Sequence, residues 1–125
     1  DGRGRKLGFP TANLLPIDTH QIIPGTGVYA VRVQRVDAQN TTAWNGMAHL
    51  GHRPTFDDQS ATPTIEVHLF DANPDLYAST LSIQFEHRLR DVLKFNGAEA
   101  LVAQLKLDAD RARTHLKQRN EEPRR

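Results

Sequence analysis

Between Leu81 and Leu89 apolar and polar residues alternate more cleanly than anywhere else in the chain, and that run constrains the fold most. On an extended backbone Leu81, Ile83, Phe85 and Leu89 fall on one side and Ser82, Gln84, Glu86 and Arg88 on the other. A period of two suits a strand with one face on a core. The pattern recurs in shorter form. Tyr29, Val31 and Val33 share a side within 28–36, opposite Arg32 and Gln34. Trp44, Gly46, Ala48 and Leu50 do so within 42–50, and Ile65, Val67 and Leu69 within 64–70. Turn formers separate the runs: Pro24-Gly25-Thr26-Gly27, then Arg53-Pro54-Thr55 with a polar loop over 56–62, then Asn73-Pro74-Asp75. Residues 1–16 read as a loop, because Gly2, Gly4, Gly8, Pro10 and Pro16 interrupt regular structure.

One helix follows. Asn96 and Glu99 have the spacing of a capping box, and Leu101, Leu105, Ala109, Ala112 and Leu116 form a stripe to about 117. The charged stretch 118–125 is expected to fray. Antiparallel-looking strands and a terminal helix predict a mainly β domain, a barrel or rolled sheet with the helix on one side.

A length of 125 residues fits a single domain, with 38% hydrophobic and 25% charged residues marking it as globular. A net charge of +1 with scattered arginines lacks the basic stripe of a nucleic-acid binder. There is no cysteine, which excludes disulfides and thiolate metal sites and fits a reducing cytoplasm. No apolar run approaches the ~20 residues of a membrane span, so neither nucleic acid nor membrane is expected as a partner.

Three segments carry candidate chemistry. In Gly4-Arg5-Lys6-Leu7-Gly8-Phe9-Pro10-Thr11-Ala12-Asn13, the glycines allow close backbone approach to a phosphate and Arg5 and Lys6 add positive charge. Thr11 and Asn13 present two neutral oxygens suited to Mg²⁺. The plainer alternative is a basic surface loop whose Thr and Asn bond to their own backbone. Glu66 lies opposite Ile65 and Val67, on the side of Thr64, His68 and Phe70. Shielded from water it would serve as a general base; unshielded, it is a solvated strand residue. His49-Leu50-Gly51-His52 matches the HxGH string of nucleotidyltransferases, but Arg53-Pro54-Thr55 follows where that chemistry needs a helix N-terminus. The other histidines lack metal-ligand spacing.

Taken together and in order, these segments resemble the riboflavin kinase family, both its free-standing enzymes and the C-terminal module of bacterial bifunctional FAD synthetases. The resemblance rests on Gly4 through Asn13, Gly27-Val28-Tyr29-Ala30-Val31, Gly51 through Phe56, Glu66 through Asp71, and Asp75-Leu76-Tyr77. Leu89-Arg90, Lys94-Phe95 and Gln104-Leu105 through Asp108 complete it.

The resemblance implies a six-stranded antiparallel Greek-key barrel with a C-terminal helix, binding ATP and riboflavin. Gly4, Arg5, Lys6, Gly8, Phe9, Pro10 and Thr11 would cradle the nucleotide, and Thr11 and Asn13 would hold Mg²⁺. Glu66 would be the base for the ribityl 5′-hydroxyl, with Arg90 and Phe95 on the flavin side. Three positions depart from the family pattern: His49 for a frequent asparagine, Ala78 for glycine and Leu93 for glutamate.

Members of that family have a strand before the Gly-Arg loop. The expectation is therefore a kinase domain over 1–117 lacking its first strand, derived from a protein with an N-terminal FMN adenylyltransferase domain. An open barrel edge would invite self-association. The rival expectation is a non-catalytic flavin- or nucleotide-binding barrel fragment.

Overall fold

Strand β2 (Gly27–Arg35) is buried on both faces along most of its length, which makes it the spine of the sheet. In the computed structural model, residues 12–14, 24–35, 42–54, 61–76 and 79–121 are described, with backbone alone for 12–14, 52–54, 61–63 and 119–121. Strand β2 is flanked by β3 (Thr42–Pro54) and β5 (Leu81–Arg90). Strand β4 (Ala61–Leu69) pairs with β3, and the short β1 (Ala12–Leu14) pairs with β4. All pairs are antiparallel, in the order β1-β4-β3-β2-β5. Three successive hairpin strands with β1 laid beside β4 make a Greek-key arrangement.

The two faces of the sheet build two cores. Tyr29, Val31 and Val33 meet Ala48, Leu50, Ile65, Val67 and Leu69 on one face, with Trp44, Leu81, Ile83 and Phe85 packed around them. Tyr29 and Phe85 contact edge to face at 5.3 Å between ring centroids. On the opposite face Val28, Ala30, Met47, Phe70 and Leu89 receive Ala112 and Leu116 of helix α1 (Ala98–Glu121), with Leu105 and Ala109 at the margin. Burial on this scale is the main favourable term in the fold, about 25 cal/mol per Å² of apolar surface.

Several boundaries differ from the sequence reading, for identifiable reasons. Leu89 does not share a face with Phe85. Two register shifts in the β2–β5 ladder insert Glu86 and Leu89 as extra residues, and such bulges re-aim the side chains around them. Leu89 therefore joins the helix-side core. Strand β3 continues through Pro54, paired with Ala61, because a terminal proline is tolerated where the ladder ends. Strand β1 lies within the segment expected as loop; three residues are too few to show a period. The helix starts after Gly97, whose φ is 138° and whose carbonyl accepts the first helical bond from Leu101 N, so Gly97 occupies the cap position expected of Asn96. Its last turn runs through Glu121, into the stretch expected to fray. Five strands are present among the described residues, with β1 and β5 at the ends of the order; the sixth strand and the closure of the expected barrel do not appear among them.

Where β3 crosses β4, a Cβ at Gly46 would strike the carbonyl oxygen of His68. Backbone cannot yield there as a flexible side chain could. Gly46→Ala is expected to cost roughly 1–3 kcal/mol in urea unfolding, whereas Gly25→Ala, which meets nothing within 4 Å, leaves the midpoint nearly unchanged.

Helix α1 also docks through stacked imidazoles, His87 on β5 and His115 lying 3.6 Å apart at 16°. Desolvation, then His115 and then Arg111 hold the pKa of His87 below its ordinary 6.5. At pH above 6.5 the group is neutral in both folded and unfolded chains. As pH falls through that value the unfolded chain takes up a proton the folded one resists, so this contribution to stability declines until pH drops below the depressed value. Urea midpoints measured between pH 7.5 and 5 should fall on acidification, and His87→Gln should flatten the slope.

Candidate active site

The ladders bring distant residues into one row across the sheet. Asn13 pairs with Glu66, Glu66 with His49, His49 with Val28, and Val28 with Arg90. With strands about 4.8 Å apart, the row spans about 19 Å along the sheet from Asn13 to Arg90. It therefore contains the expected metal ligand at one end, the expected base beside it, and the expected flavin-side arginine at the other end.

Glu66 is half-buried, opposite the fully buried Val67. Helix α1 packs on β2, β3 and β5, so Glu66 stands on the strand next to the helix-covered part of the sheet. Its half-burial lies between the two expectations, a shielded base and a solvated strand residue. His49 is also half-buried, and its buried Nδ1 has no hydrogen-bond partner among the described residues. A Cβ at Gly51 would lie 3.2 Å from His49 Cε1, so the glycine leaves that ring its space. Gly4, Arg5, Lys6, Gly8, Phe9, Pro10 and Thr11 lie outside the described residues. Asn13 is placed by its backbone register alone.

Arg90 is engaged before any ligand arrives. Its Nε donates to both carboxylate oxygens of Asp108, at 2.9 and 3.0 Å, and its Nη2 to Oδ2 at 2.7 Å. Nη1 donates to the Asp91 carbonyl oxygen, and Gln104 Nε2 adds a bond to Asp108 Oδ1. The Asp108 side chain is 0% exposed. Arg90 Cζ also lies 5.8 Å from the centre of the Phe95 ring, so the two expected flavin-side residues do come together. Sequence reading quoted Asp108 as the end of the Gln104–Asp108 motif and gave it no role. The available signal was its place on the apolar stripe, seven residues after Leu101 and four before Ala112.

A profile of the family described as "Flavokinase: Riboflavin kinase" matches residues 1–116. The chain belongs to the riboflavin kinase family. Its curated relatives are named bifunctional riboflavin kinase/FMN adenylyltransferase. One from Bacillus subtilis is 40% identical over 113 residues, which are 90% of this chain and 34% of the relative. Another from Listeria monocytogenes is 42% identical over 108 residues, covering 86% and 32%. The chain thus spans about a third of the length of these relatives. A crystal structure described as a macrolide-efflux protein from Streptococcus pneumoniae superposes with a TM-score of 0.74 at 38% identity, covering 86% of this chain and 33% of that one.

The HxGH string lies inside strand β3, and the next element among the described residues is strand β4, not a helix. Among the described residues no helix is long and apolar enough to cross a membrane.

Removing one partner of a buried ion pair strands the other charge. Asp108→Ala is expected to cost about 3–5 kcal/mol in chemical unfolding. Combining it with Arg90→Met should recover part of that loss, because no unpaired guanidinium then remains.

Proposed function

We propose that this chain transfers the γ-phosphate of ATP to the ribityl 5′-hydroxyl of riboflavin, giving FMN and ADP. We further propose that it works in the cytoplasm as the kinase portion of a polypeptide that also carries an FMN adenylyltransferase domain. The observation that carries the reading is the direct pairing of Asn13 with Glu66, in a row that ends at Arg90.

In this mechanism the Glu66 carboxylate accepts the proton of the 5′-hydroxyl as that oxygen bonds to the γ-phosphorus. The bond from phosphorus to the bridging oxygen breaks, and ADP leaves with the electron pair. A loose phosphoryl transition state asks mostly for alignment and charge neutralisation. The backbone of Gly4–Pro10 with Arg5 and Lys6 would cradle the phosphates, while Phe95, backed by Arg90, would face the flavin ring.

The donor set fits magnesium. Among the described residues no three His, Cys, Asp or Glu come together as a cage of ligands. Two neutral oxygens, from Thr11 and Asn13, suit an ion that takes its remaining ligands from phosphates and water. Bound there, magnesium would neutralise charge developing on the transferring group.

Incubation with riboflavin and Mg-ATP, followed by chromatography, should yield FMN. Glu66→Gln should lower kcat by about 10²–10⁴ while nucleotide affinity holds. Normal turnover in that variant would remove Glu66 as the base. Flavin fluorescence quenching with no FMN from wild type would instead mark a binding barrel without catalysis.

A further inference from the structure

Resting on the kinase reading, we infer that His49 is a binding residue for the acceptor. Its imidazole Nδ1 hydrogen-bonds a hydroxyl of the polyol chain that carries the reacting hydroxyl. The first ground is position. His49 is the direct cross-strand partner of Glu66, and paired residues hold their Cβ atoms about 4.5–5.5 Å apart. His49 also lies on the Arg90–Phe95 side of Glu66 in the row. A substrate with its terminal hydroxyl at Glu66 and its ring toward Phe95 would run its polyol past His49, the first residue of the row on that side.

The second ground is the unmet hydrogen-bonding capacity of the ring. Nδ1 is buried and has no partner among the described residues. Leaving such an atom unsatisfied incurs its full desolvation cost, so an incoming partner recovers that cost on binding. The other buried orphan is Arg35 Nε, and its guanidinium already donates to the Asp75 carbonyl oxygen through Nη2. His49 has no comparable bond among the described residues. The ring sits where a Cβ at position 51 would crowd it, so Gly51 keeps that place open. The third ground is chemical. A hydroxyl both donates and accepts, so it serves either neutral tautomer of Nδ1, whereas a phosphate serves only the protonated nitrogen.

The test combines nitrogen-15 NMR of the histidine rings with steady-state kinetics on the chain. In the presence of Mg-ADP, riboflavin should shift the His49 Nδ1 resonance, and lumiflavin, which has the ring system without the polyol, should not. His49→Leu should raise KM for riboflavin about tenfold and leave KM for ATP unchanged. His49→Asn, which sets an amide at the same distance from Cα as Nδ1, should restore KM to within about threefold of wild type. An equal shift with lumiflavin, or an unchanged riboflavin KM in His49→Leu, overturns the inference. So does failure of His49→Asn to restore KM while its urea midpoint matches wild type. If the chain makes no FMN yet riboflavin alone shifts Nδ1, the kinase reading falls and the polyol contact stands; if riboflavin leaves Nδ1 unmoved, the contact falls whatever the turnover.

Discussion

A carboxylate with no solvent exposure in the middle of a helix is tolerable only if a cation meets it with good geometry. Arg90 does so for Asp108, with bonds from two guanidinium nitrogens to the carboxylate and Gln104 as a further donor. Ion pairs of this kind add little net stability over a well-packed apolar substitute, but they punish every arrangement that separates the partners. Here the pair fixes where α1 lies against β5. That placement decides which part of the sheet is covered and which part is left beside Glu66.

A second pair works under the same helix. Arg32 lies 3.5 Å from Glu86, whose side chain is only 6% exposed, and donates to the Leu116 carbonyl oxygen and to Asn45 Oδ1. The helix is therefore held by a mixture of apolar contact and buried charge. Glu86 is available for this because it is an extra residue in the β5 ladder. The same irregularities turn Leu89 toward the helix, so the bulged strand supplies both kinds of contact.

The alternations at 29–33 and 81–85, and the stripe from Leu105 to Leu116, are legible because a strand or helix with one face on a core must repeat at its own period. Leu89 was misread because a bulge breaks the period without leaving a compositional mark. Asp108 received no role from the sequence because the partner that explains a charged side chain on an apolar stripe lies 18 residues earlier. Glu66 could be singled out as a carboxylate in an apolar strand, and Asn13 by its motif, but their adjacency depends on a β1–β4 pairing that no local pattern encodes.

The sequence alone determined the class of fold, through its periodicities, and the family, through an ordered set of short motifs running from Gly4 to Asp108. Those are properties of neighbours along the chain. The row from Asn13 through Glu66 and His49 to Arg90 joins residues from all five strands. Only the ladder registers decided it, because a shift of one residue in any of them would carry a side chain to the opposite face.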